Sequence, residues 1–132
     1  MAISFETGQV FRARPMTKPF MFHYGIIIHR NGQPFVLHNP FPLSPQIDTI
    51  EDFFYHRILE KDYGKLTDKS DMELWNTFND LRGRKYSLLT FNCEDFVNDM
   101  IGNFRFQRGK IELFLFVAIL GAISYIAIER TP

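Results

Sequence analysis

Residues 20–40, FMFHYGIIIHRNGQPFVLHNP, set Asn31-Gly32 between two apolar runs. Asn-Gly in that setting is the strongest short-range cue for a hairpin, because a type I′ turn needs positive φ at both central positions. Counted from a two-residue turn, Arg30 faces Gln33, Ile27 faces Val36 and Gly25 faces His38. Opposed residues point to the same face and side chains alternate along a strand. His23, Gly25, Ile27 and His38 therefore share one face. His23 lies two residues beyond the partner of His38, so the imidazoles are diagonal neighbours, roughly 5–8 Å apart at Cβ. Gly25 between them has no side chain to keep the rings apart. His29 is on that face too, but about 20 Å along the strand at ~3.3 Å per residue, and stands outside the pair. Pro34 suggests that its side of the second strand faces an edge.

Downstream of the hairpin, Pro40, Pro42 and Pro45 make a turn-rich, extended loop. Residues 49–59 read equally as a short helix or a strand. Ser70 and Glu73 form a capping box, followed by Leu74, Trp75, Phe78 and Leu81 at helical spacing, with Gly83 as the stop. Residues 85–91 (KYSLLTF) read as a strand or an extended lead-in. Asn92 is then an N-cap, and Phe96, Val97, Met100 and Ile101 make one apolar helical face that Gly102 ends. Cys93 thus sits at the start of a helix.

The 132 residues suit one domain, large enough to fold without disulfides or a structural metal. Lys+Arg 15 balance Asp+Glu 15, so there is no general electrostatic case for nucleic-acid binding. The single cysteine excludes an internal disulfide framework and any multi-cysteine metal site. No short-spaced ligand pair supports a metal held by His23, His38 and Cys93, and no cofactor is expected. His29 and His56 are expected to have no catalytic role.

A thiol nucleophile needs a base, and the base needs a partner that holds its tautomer. The positive end of a helix dipole lowers a thiol pKa. Glu94 and Asp95 oppose that by like charge, and the expectation is that the dipole and an imidazole outweigh them.

Gly83 to Leu88 (GRKYSL) followed by Asn92 to Asn98 (NCEDFVN) resembles the lecithin:retinol acyltransferase (LRAT) family, including its phospholipase-acyltransferase branch. Arg14-Pro15-Met16 with His23-Tyr24-Gly25-Ile26 is similar to that family's first-strand motif, and Leu37-His38-Asn39 to its second-histidine motif. The likeness runs in order over about residues 6–102. Asp95 departs from it, standing where the family's box usually has His, which bears on helix packing or substrate selection. The resemblance implies an α+β, circularly permuted papain-like (NlpC/P60-type) domain with an antiparallel sheet packed against helices. It implies Cys93 as nucleophile, His23 as general base and His38 as the orienter of His23. The chemistry implied is an acyl-thioester on Cys93, formed from a phospholipid or other acyl lipid and passed to an alcohol, an amine or water. The backbone N–H of Cys93 would serve the oxyanion hole. Two other readings stand beside this one. A cysteine peptidase or amidase on the same groups would act on soluble amides without a lipid interface. A non-catalytic membrane adaptor would leave Cys93 unreactive toward alkylation at neutral pH.

Leu113 to Ile128 (LFLFVAILGAISYIAI) is uncharged over about 16 residues, just under the usual ~17–25 of a spanning helix. Basic residues Arg105, Arg108 and Lys110 precede it. The chain therefore divides into an LRAT-like domain, 1–104, a basic hinge, 105–110, and a transmembrane or membrane-anchoring helix, 111–128. The charge asymmetry predicts a single-pass, tail-anchored protein with its domain in the cytoplasm. Phe20, Phe22, Phe41, Phe53 and Phe54 flank the expected site and are candidates to touch acyl chains or lipid.

Overall fold

The computed structural model describes residues 4–17, 22–88, 91–103, 105–106 and 108–129, the last of these partly as backbone alone. Phe20 lies outside the described residues. Five antiparallel strands form one sheet in the order β4-β3-β2-β1-β5. They are β1 (Gln9–Pro15), β2 (His23–Arg30), β3 (Gln33–His38), β4 (Gln46–Thr49) and β5 (Arg57–Lys65). The helices are α1 (Ile50–Phe53), α2 (Asp71–Leu81), α3 (Cys93–Ile101) and α4 (Arg108–Glu129). The class is α+β, as expected.

The β2–β3 register is the one read from the turn. Arg30 pairs with Gln33, Ile27 with Val36 and Gly25 with His38. Asn31 and Gly32 take φ of 52° and 75°, the positive values that a type I′ turn requires. Pro34 pairs with His29 on one side, while β4 pairs with β3 only from Phe35 onward. The missing N–H of Pro34 therefore costs no ladder bond.

The sheet buries both faces. Tyr24, Ile26, Ile28 and Leu37 pack against Leu74 and Phe78 of α2 and Phe96, Val97 and Met100 of α3. On the other face Phe11, Ala13, Ile27 and Val36 pack under Phe53 of α1. Burial on both sides is why β2 reads as a nearly continuous apolar run rather than an alternation. The segment 49–59, open in the sequence reading, holds the end of β4, all of α1 and the start of β5. Thr49 caps α1 by accepting from Asp52 N at 3.1 Å.

Both sequence-assigned caps form. Ser70 and Glu73 make the capping box of α2. Asn92 caps α3, accepting from Glu94 N at 3.0 Å and Asp95 N at 2.9 Å. Gly102 ends α3 with φ of 73°. Ser87 and Phe91 form an isolated antiparallel bridge, and neither belongs to a named strand.

The domain runs past its expected end at 104. Phe106 is buried against Tyr24, with ring centroids 4.8 Å apart. Asn98 fastens it, donating from Nδ2 to Phe106 O at 2.6 Å and accepting from Phe106 N at 2.8 Å. Helix α4 is uncharged in sequence from Leu113 to Ile128, and its described side chains, at 111 and 114–124, are exposed. Among the described residues no helix is long and apolar enough to cross a membrane.

Candidate active site

Three chain segments meet where β2 begins. His23 is the first residue of β2, His38 the last of β3 and Cys93 the first of α3. His23 Nε2 lies 2.7 Å from His38 Nδ1, so the diagonal pair read from the hairpin is in direct hydrogen-bond contact. The rings meet edge to face at 4.9 Å between centroids. Gly25 makes this possible. A Cβ there would lie 2.4 Å from Val36 Cγ1 and 3.1 Å from Phe53 Cζ. Phe53 fills the space instead, stacking on His23 at 5.7 Å and standing edge-on to His38 at 5.1 Å.

Cys93 belongs to the helix side of the sheet, and its sulfur reaches the residue just before β2. Its Sγ donates weakly to Phe22 O at 3.9 Å. Asn39 ties the end of β3 to the start of α3, donating from Nδ2 to Phe91 O at 3.1 Å and Asn92 O at 3.4 Å. The segment that carries His38 is thereby held against the one that carries Cys93. Cys93 and His23 line one cavity of about 250 Å³, together with Pro15, Phe22, Pro40, Phe41, Arg57 and Tyr86. His29 is elsewhere, its Nδ1 2.9 Å from Thr7 Oγ1.

Asp95 has a definite use in this sequence. Its Oδ2 accepts from Asn92 N at 3.0 Å, completing a second capping box at the start of α3. A cap of this kind contributes about 1 kcal/mol and fixes the first turn, where Cys93 sits. The departure from the family's box thus falls on the cap of α3.

The charge state of the thiol differs from the sequence expectation. Burial pushes the Cys93 thiol up to about 12, and the Glu94 carboxylate adds to the rise. Hydrogen bonds from the backbone N–H groups of Tyr24, Cys93 and Glu94 act the other way without cancelling it. Desolvation of a thiolate in a buried first turn outweighs the helix dipole. The imidazoles shift in the matching sense. Burial holds His23 well below the ordinary histidine value, with His38 and Arg57 adding to the effect. His38 is lowered by burial despite its contact with Asp48. The resting site is a neutral thiol beside neutral imidazoles.

Three residues of the site carried no role in the sequence reading. Asp48 Oδ2 lies 2.6 Å from His38 Nε2. That hydrogen bond holds Asp48 below the usual carboxylate range, so the contact joins a carboxylate to a neutral ring N–H. Arg57 is half-buried at the cavity and donates from Nη1 to Phe53 O at 2.8 Å. Burial raises the Tyr86 phenol to about 12, so it stays protonated, and its oxygen accepts from the Cys93 backbone N–H. Tyr86 falls inside the quoted GRKYSL segment. Asp48 and Arg57 sit in the stretch whose strand and helix signals are weakest. Among the described residues, no group of three or more His, Cys, Asp or Glu is arranged to hold a metal ion.

No family model, no curated protein and no solved structure matches the chain. Function must therefore be argued from the geometry of the site and the motifs.

Proposed function

We propose that the chain is a thiol acyltransferase or A-type phospholipase of the LRAT-like kind, in a permuted papain-like fold, acting through an acyl-thioester on Cys93. The observation that carries the reading is one cavity lined by Cys93 and His23, with His23 backed at 2.7 Å by His38. Four of the six remaining wall residues are apolar, which favours an acyl lipid. Pro15, Phe22, Pro40 and Phe41 are apolar, and Phe41 is exposed at 61%.

With both groups neutral at rest, the thiol proton moves as the bond forms. His23 takes the Cys93 proton while sulfur attacks the ester carbonyl. The tetrahedral oxyanion accepts from the Cys93 backbone N–H, which turns to it from Tyr86 Oη, and from the Tyr86 phenol O–H. His23 then returns the proton to the departing alcohol, leaving the thioester. Water, an alcohol or an amine attacks next, giving its proton to His23, and the thiol is regenerated. Helix α4 would hold the domain at the lipid surface, with Arg105, Arg108 and Lys110 on the anionic cytoplasmic side.

Turnover of phospholipid vesicles by single variants tests the roles. Cys93→Ser and Cys93→Ala should both abolish it. His23→Ala should cost more than about a hundredfold, and His38→Gln should retain part of the rate, since an orienter needs only a hydrogen-bonding side chain. Substantial turnover by Cys93→Ala would end the thiol mechanism.

A further inference from the structure

A carboxylate has no hydrogen to donate. In the 2.6 Å contact between Asp48 Oδ2 and His38 Nε2, the hydrogen therefore sits on Nε2. A neutral imidazole carries a single N–H, which leaves His38 Nδ1 as an acceptor. That nitrogen is 2.7 Å from His23 Nε2, so the hydrogen between the rings belongs to His23. His23 Nδ1 is then the ring nitrogen with a free lone pair.

We infer that Asp48 is a positioning residue: its carboxylate sets the tautomer of both histidines in turn and so selects Nδ1 of His23 as the basic nitrogen. The selection runs through two rings and needs each of them neutral. Burial holds both His23 and His38 below the ordinary histidine value, which meets that condition. The sheet supplies the geometry. His38 pairs with Gly25 on one side and with Gln46 on the other. His23 lies two residues before Gly25, and Asp48 two residues after Gln46, so each is a diagonal neighbour of His38. One face of three adjacent strands thus carries carboxylate, imidazole and imidazole in a line. Without the carboxylate, His38 Nε2 loses the acceptor that keeps its hydrogen there. In the reverse tautomer, His38 Nδ1–H would donate to His23 Nε2, and His23 Nδ1 would carry a hydrogen, unable to take one from Cys93.

This inference rests on the proposed role of His23 as base, and the test separates the two. The chain has four histidines, so ¹⁵N spectra of the full chain in detergent micelles resolve each ring. In the wild-type protein, His23 and His38 should both be Nε2–H with Nδ1 unprotonated. Asp48→Asn replaces a pure acceptor by a group that both donates and accepts. It should bring in the Nδ1–H form of both rings and lower kcat on phospholipid about 10- to 100-fold, with KM within about twofold. A wild-type spectrum with His38 protonated on Nδ1 overturns the inference whether or not the variant folds. So does an Asp48→Asn protein with unchanged tautomers and unchanged kcat. A wild-type chain that never acylates Cys93 would refute the enzyme reading, while the spectra would still decide the tautomers.

Discussion

Cys93 and His23 are both uncharged at rest, because each is buried where its ion would lose hydration. Slow alkylation of the free protein at neutral pH is therefore expected of an enzyme as much as of an inert adaptor, and acylation is the observation that separates them. The same burial links the site to stability. For His23 and His38 the folded pKa lies below the unfolded value near 6.5. Below that pH the unfolded chain binds protons that the fold refuses. The histidines' contribution is complete above about pH 6.5. It is lost as pH falls toward their folded pKa values, at a limiting slope of about 1.4 kcal/mol per pH unit for each ring. Thermal midpoints should hold steady from pH 8 to pH 7 and fall toward pH 5, and His23→Phe should flatten that fall. A midpoint that is constant or rising from pH 7 to pH 5 would contradict the neutral-imidazole site. At this scale, the pairing of His23 with His38 was legible because residues on one strand face can be counted from a turn. The state of Cys93 was not, because it depends on how much of the protein closes over the sulfur.

Among the elements, the hairpin was legible to the residue. Asn31-Gly32 fixes the turn, and the turn fixes the register. The caps of α2 and α3 were legible for a similar reason, since each is a local contact among residues three apart. Strand β5 was not legible. Its sequence, RILEKDYGK, has no clean alternation, because it is an edge strand that pairs only with β1 and carries exposed charge. Arg12 holds Glu60 at 2.7 Å across that pairing, a contact invisible without the fold. Asp48 was missed with β4, since its place beside His38 follows only once β3 and β4 are in register. The tightest element-level constraint is Gly25. An added methyl would meet Val36 Cγ1 at 2.4 Å, inside the wall that seats Phe53 against both imidazoles. Gly25→Ala should destabilise the protein by about 1–3 kcal/mol in denaturant unfolding, as overpacking of a filled core does. Unchanged stability would mean that the β2–β3 face is looser than described.

For the whole molecule, the α+β class and the antiparallel sheet were legible, whereas the place where the domain ends was not. Composition drew the line at 104, where basic residues begin, yet Asn98 and Tyr24 hold Phe106 in the core. Deleting residues 108–132 spares that contact. The shortened chain should be soluble and folded, and should lose activity on phospholipid vesicles far more than on short-chain soluble esters, because surface anchoring raises local lipid concentration without altering the chemistry. Equal losses on both substrates, or an aggregated chain, would show that α4 belongs to the domain.

The central claim is that Cys93 carries an acyl group during turnover. The direct measurement is intact mass of the full chain, acid-quenched soon after mixing with vesicles of mixed phospholipids. The account predicts a mass increase equal to a fatty acyl group, located on Cys93, removed by neutral hydroxylamine and absent from Cys93→Ala. Phospholipid turnover with no adduct on Cys93, or an adduct that persists in Cys93→Ala, would contradict it.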